Sequence, residues 1–88
     1  VEYNIVIPYD FSEGANSALE SAIHLSEKVS VCIHILHVIE NKNTDESKLK
    51  IELQKVENEA SVKCKVLYTL LYGSVGSSIL TYVNSQNI

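Results

Sequence analysis

The stretch Asn4-Ile5-Val6-Ile7-Pro8-Tyr9-Asp10-Phe11-Ser12 decides how the chain is read. Three adjacent β-branched residues, Ile5, Val6 and Ile7, do not alternate with polar ones. They therefore predict a strand buried on both faces, the kind found in parallel α/β sheets. Pro8 has no amide proton to give a ladder and ends the strand. Asp10 then stands at the strand's carboxyl end, where ligands of open α/β sheets collect. Ser12 is an N-cap candidate with Glu13 in the first turn behind it, so a helix should open there.

Working outward, Ala15, Ala18, Leu19, Ala22 and Ile23 follow helical spacing, and Val29 returns to the same face. Val31 to Ile39 reads Val-Cys-Ile-His-Ile-Leu-His-Val-Ile and predicts a second buried strand. Its histidines, His34 and His37, are three residues apart and point to opposite faces of a strand, so they cannot share a metal there. Hydrogen-bonded structural roles suit both, and His37 is the nearer to the carboxyl end. Glu40 to Asn43 is a short polar loop, Thr44 the next expected N-cap, and Leu49, Leu53, Val56 and Ala60 the stripe of a second helix. Glu46 and Lys50 are spaced to pair on its exposed side. Val66, Leu67, Leu70 and Leu71, with Tyr68 and Tyr72, predict a third strand closed by Gly73. A third helix follows, with Val75, Ile79, Tyr82 and Val83 on its apolar face and Asn87 as its stop.

The order strand, helix, strand, helix, strand, helix implies an α/β fold: a parallel sheet with right-handed crossovers and helices on its faces, three layers in all. The 88 residues make a single domain. A three-stranded sheet whose first strand is apolar on both faces is an unusual stopping point, because it leaves an apolar edge open. The chain is thus expected to be an incomplete part of a doubly wound domain.

Composition narrows function. With 7 basic and 11 acidic residues the net charge is −4, and no basic cluster offers the electrostatic footprint of a nucleic-acid binder. No apolar run approaches the roughly 20 residues of a membrane span, and no signal-peptide pattern opens the chain, so a cytoplasmic location is expected. Cys32 and Cys64 have no metal-ligand spacing and read as buried free thiols, with a disulfide between adjacent strands as the alternative. Gly73-x-x-Gly76-Ser77-Ser78 suggests an anion-binding turn but lacks the lysine of a Walker loop and the third glycine of a dinucleotide fingerprint. Asp10 could serve as a phosphoacceptor, a metal ligand, an acceptor for a ligand or a capping residue. A receiver-type phosphoacceptor would need an acidic cluster, and the third strand ends instead in Leu70-Leu71-Tyr72-Gly73. No catalytic set and no metal-ligand set is visible.

Ile5-Val-Ile-Pro-Tyr-Asp-Phe-Ser12, Ala18-Leu19 and Ile33-His-Ile-Leu-His-Val-Ile39 together resemble the universal stress protein family. The resemblance runs through Tyr72-Gly73 and the third helix, over all 88 residues, and accounts for the first half or somewhat more of a usual family domain. It implies an adenine-nucleotide α-hydrolase-like sheet of order 3-2-1-4-5, of which strands 4 and 5 are absent here, and often a homodimer. Many members bind ATP and others do not. By the resemblance, Pro8, Tyr9, Asp10 and Val38 would line an adenosine pocket as cofactor-binding residues. The family's phosphate motif, Gly-x-x-Gly, nine residues, then Gly-Ser/Thr, belongs after a fourth strand, and counting on from Gly76 reaches Gln86. The expectation is a stress-response module that binds adenine nucleotide, with at most slow ATP hydrolysis. The alternatives are a protein-interaction or dimerisation domain of the same fold, or a fragment of a related nucleotide enzyme.

Overall fold

The computed structural model describes residues Val1 to Ile88. Three strands, β1 (Tyr3–Pro8), β2 (Val31–Ile39) and β3 (Lys65–Tyr72), alternate with three helices, α1 (Glu13–Leu25), α2 (Glu46–Ala60) and α3 (Val75–Ser85). The strands form one parallel sheet with β2 in the middle, which is the 3-2-1 arrangement read from its other edge. Ile5 lies beside Ile33 and Pro8 beside Leu36, while His34 lies beside Leu67 and Ile39 beside Tyr72.

Both crossovers run in the same direction across the sheet, so with the usual right hand they place α1 and α2 on one face. The main core forms there. Ala15, Leu19 and Ala22 of α1 and Leu49, Leu53 and Ala60 of α2 close over Ile7, Val31, Ile33, Ile35, Ile39 and Val66. Ala18, predicted on this face, is exposed, and the buried residues of α1 are Ala15, Leu19 and Ala22. The intervening residues of β2, Cys32, His34 and Leu36, face the other way, where α3 packs against β2 and β3. Cys64 packs with the main core and Cys32 is buried on the opposite side, so both remain free thiols.

Two expectations need correcting. β1 is not buried on both faces: Ile7 is covered, but Ile5 and Val6 are only half-buried. β1 is an edge strand here, and the strand buried over most of its length is β2, with His37 and Val38 half-buried near its end; it has a neighbour on each side and helices above and below. The N-cap of α2 is Asp45 rather than Thr44. Asp45 accepts from the Lys48 amide at 3.2 Å, while the Thr44 hydroxyl donates to the Asn41 carbonyl at 2.8 Å and closes the preceding turn. The Glu46 carboxylate, spaced for Lys50, accepts the Tyr72 hydroxyl proton across to the end of β3.

Helix ends follow local chemistry. Ser12 caps α1 through the Ala15 amide at 3.1 Å. α3 stops at Asn87, whose φ of 58° reverses the chain; the Ile88 amide reaches the Val83 carbonyl and the Asn87 amide the Asn84 carbonyl, a Schellman arrangement.

One buried polar network ties the second face together. His34 is 7% exposed, and its ring bridges Asn4 of β1 (Nε2 to Oδ1, 3.0 Å) and Tyr82 of α3 (Nδ1 to hydroxyl, 2.8 Å). An amide oxygen only accepts, so Nε2 carries the proton and Nδ1 accepts from the Tyr82 hydroxyl. Burial, with Lys65 adding to it, pushes the imidazole below its ordinary 6.5, and Glu2 opposes this weakly. The unfolded chain therefore binds the proton more readily than the folded one. Stability is expected to be full above the ordinary imidazole range and to fall as pH drops through it toward the lower folded value. Thermal melts between pH 8 and 5 check this, with His34→Gln reducing the slope. Tyr82→Phe should cost about 1–2 kcal/mol in urea unfolding, since it leaves the His34 acceptor without its donor.

Candidate functional site

The site forms where β1 and β2 part company. The Tyr9 amide still donates to the Leu36 carbonyl at 2.7 Å, continuing the ladder one residue past Pro8. The Tyr9 carbonyl is then taken by a side chain: His37 Nδ1 donates to it at 2.7 Å. A carbonyl accepts only, so this bond places the His37 proton on Nδ1 and leaves Nε2 for another partner. The imidazole thus ends the β1–β2 pairing and holds the Pro8-Tyr9-Asp10 turn to β2.

The turn is held from other directions as well. Phe11 adopts φ 64°, a left-handed conformation costly for a bulky side chain. Its ring packs edge-on against Tyr9 with centroids 5.0 Å apart, and tilted against His37 at 5.7 Å. Asp10 accepts the Ser12 amide at 3.0 Å through Oδ1, an Asx turn that leads directly into the Ser12 cap. The Ser12 hydroxyl, then its amide, hold the Asp10 carboxyl below the usual carboxylate range, and His37 acts in the same direction. Asp10 is consequently an ionised, exposed acceptor held in place through Ser12.

Beside this turn lies a cavity of about 280 Å³. Pro8, Tyr9 and Asp10 line it from the end of β1, Leu36, His37, Val38 and Glu40 from the end of β2, and Val75 and Ile79 from α3. All four residues named from the sequence, Pro8, Tyr9, Asp10 and Val38, therefore border one hollow. Tyr9 does so from a residue that is otherwise core: it is 4% exposed, its hydroxyl donates to Asn16 Oδ1, and burial raises its phenol above the usual value, with Asp10 and Glu59 adding to the effect. Glu40 read as loop and Val75 and Ile79 as helix packing, because nothing local in the sequence shows that α3 comes back over the end of β2.

The glycine turn near Gly73 does something else. Gly73 has φ 118°, where any side chain would be strained, and its amide reaches the Ile39 carbonyl at 3.2 Å. Ser74 and Ser77 hydrogen-bond each other, and Ser78 donates to the Tyr72 carbonyl at 3.1 Å, so the hydroxyls are spent on the turn itself. No cluster of three or more His, Cys, Asp or Glu is arranged to hold a metal, and no helix is long and apolar enough to cross a membrane.

With this geometry in view, the comparisons with known proteins are direct. A model of the Universal stress protein family matches residues 3–88. The chain belongs to the universal stress protein family. Among solved structures, universal stress protein UspA from Lactobacillus plantarum superposes with a TM-score of 0.79 at 15% identity, over 97% of this chain and 70% of that one. A universal stress protein from Archaeoglobus fulgidus DSM 4304 gives 0.72 at 25% identity, over 96% of this chain and 29% of that one. A member from Burkholderia pseudomallei gives 0.68 at 17%, over 96% and 74%. No curated protein matches the chain. The α/β architecture with its parallel, alternating order is accordingly that of universal stress proteins.

The left-handed Phe11 gives a direct check on how this universal stress protein turn is built. Phe11→Ala and Phe11→Gly both remove the ring, but only glycine relieves the backbone. The glycine variant is expected to be more stable than the alanine variant by about 1 kcal/mol in urea titrations.

Proposed function

We propose that this universal stress protein domain is a stress-response module that binds an adenine nucleotide at the carboxyl ends of β1 and β2 and acts in the cytoplasm by binding rather than rapid turnover. The observation that carries this reading is the convergence of Pro8, Tyr9, Asp10 and Val38 on one hollow. Pro8 and Val38, with Val75 and Ile79, offer apolar walls suited to a base, and Asp10 offers an exposed carboxylate to ribose hydroxyls. The adenosine half of ATP thus fits the residues present. The lining contains no lysine or arginine for the phosphates.

Calorimetric titration with ATP tests the proposal. Asp10→Asn keeps an acceptor for the Ser12 amide and removes the charge, so the fold should persist while affinity falls about 10- to 100-fold, the worth of a hydrogen bond to an ionised group. A variant that binds ATP as tightly as the parent would remove Asp10 from the pocket.

The second reading, a domain that works by association, homodimerisation included, is favoured by the outer edge of β1, which has no strand beside it. Light scattering on the purified chain separates the two. A nucleotide-independent dimer supports association as the primary role, and a monomer with measurable ATP affinity supports the binding role.

A further inference from the structure

The two outer edges of the sheet differ in how their backbone groups are met. On β3 the Gly73 amide reaches the Ile39 carbonyl, so the odd-numbered residues turn their backbone groups to β2, and Val66, Tyr68, Leu70 and Tyr72 turn theirs outward. Side chains of the same molecule occupy that outward row from both faces. Glu57 of α2 accepts the Tyr68 amide at 3.0 Å through Oε2, and the Ser61 hydroxyl, at the C-cap of α2, donates to the Val66 carbonyl at 3.4 Å. From α3, on the opposite face, the Ser78 hydroxyl donates to the Tyr72 carbonyl at 3.1 Å. On β1 the Tyr3 and Tyr9 amides reach the Ser30 and Leu36 carbonyls, which turns Asn4, Val6 and Pro8 outward, and no side chain bonds to their backbone groups.

We propose that the outer edge of β3 is sealed against strand addition by a second copy of this chain, and that Glu57 is the residue that seals it. A strand joining β3 would lie about 4.8 Å away and set a carbonyl oxygen about 2.9 Å from the Tyr68 nitrogen. Glu57 Oε2 already occupies that position. Its other oxygen takes the Gln54 side-chain amide at 3.4 Å, which holds the carboxylate in place. An incoming strand would have to displace a charge-assisted bond and bring its own carbonyl against a carboxylate, and two acceptors repel each other. The composition of β3 shows why its edge needs this. Val66, Leu67, Leu70 and Leu71 make it an apolar strand, and such a strand left open is a template for pairing, which a charge pointing into the edge prevents.

Amide hydrogen exchange and sedimentation of the full chain test the seal. In the parent the Tyr68 amide should exchange about tenfold or more slowly than the Leu70 amide, because both point outward and only Tyr68 has a partner. Glu57→Ala uncovers the Tyr68 amide. It should strengthen self-association about tenfold or more over the parent, with the Leu70 amide becoming protected as concentration rises. Glu57→Gln keeps an acceptor oxygen and should stay within about threefold of the parent. Equal exchange of the two amides in the parent would overturn the seal. So would a Glu57→Ala chain that associates no more than the parent, association that leaves the Leu70 amide unprotected and so runs through another edge, or a Glu57→Gln chain that associates as strongly as Glu57→Ala. The comparison of two amides within the parent holds even if the alanine variant folds poorly.

Discussion

β2 has to be buried on every side, and the rest of the structure is arranged to bury it. Its residues from Val31 to Leu36 are all covered, and Ile33 and Ile35 are completely so. A strand of this kind cannot be stable alone. It requires a strand on each edge, which β1 and β3 supply, and a layer on each face, which α1 with α2 and then α3 supply. Covering both faces of a parallel sheet by right-handed crossovers leaves little freedom in topology. The only polar side chain fully inside, His34, is tolerated because Asn4 and Tyr82 satisfy both its nitrogens, and that bridge also fastens α3 to the sheet.

The site is a consequence of how this burial ends. At Tyr9 the edge strand must leave β2, and parting strands would strand a carbonyl without a donor. His37 fills the gap, and its own position on β2 keeps the turn in register with the central strand. The unfavourable backbone of Phe11 persists because the Asx turn at Asp10, the Ser12 cap and two aromatic contacts all require the same local path. A rigid turn bearing an ionised carboxylate then faces a hollow whose far wall is brought by α3. Rigidity of this kind lowers the entropy that a ligand would have to offset on binding.

Sequence and structure agree where the signal is local. The strand ending at Pro8, the Ser12 cap, the alternation of strands and helices and the stop at Asn87 each rest on a few neighbouring residues whose chemistry leaves one good conformation. The misplacements are also instructive. Thr44 and Asp45 are both good caps one residue apart, and the choice fell to Asp45 because Thr44 was used to close the turn on Asn41. β1 looked buried because its composition matches a central strand, but composition records what a strand can tolerate and not which neighbours it has.

Pattern and local chemistry alone were enough to set the order of elements, their parallel arrangement and the place of Asp10 at a strand end, while the set Pro8, Tyr9, Asp10 and Val38 came from the family resemblance. They could do so because hydrophobic period, proline and capping residues act over a few positions along the chain. Only tertiary packing decided that His37 closes the β1 carbonyl, that Tyr82 reaches His34, and that Glu40, Val75 and Ile79 join Asp10 around one cavity. Those contacts join residues 28, 48 and more positions apart. Their partners are selected by the sheet's register and the way α3 returns over it, and no short stretch of sequence encodes either.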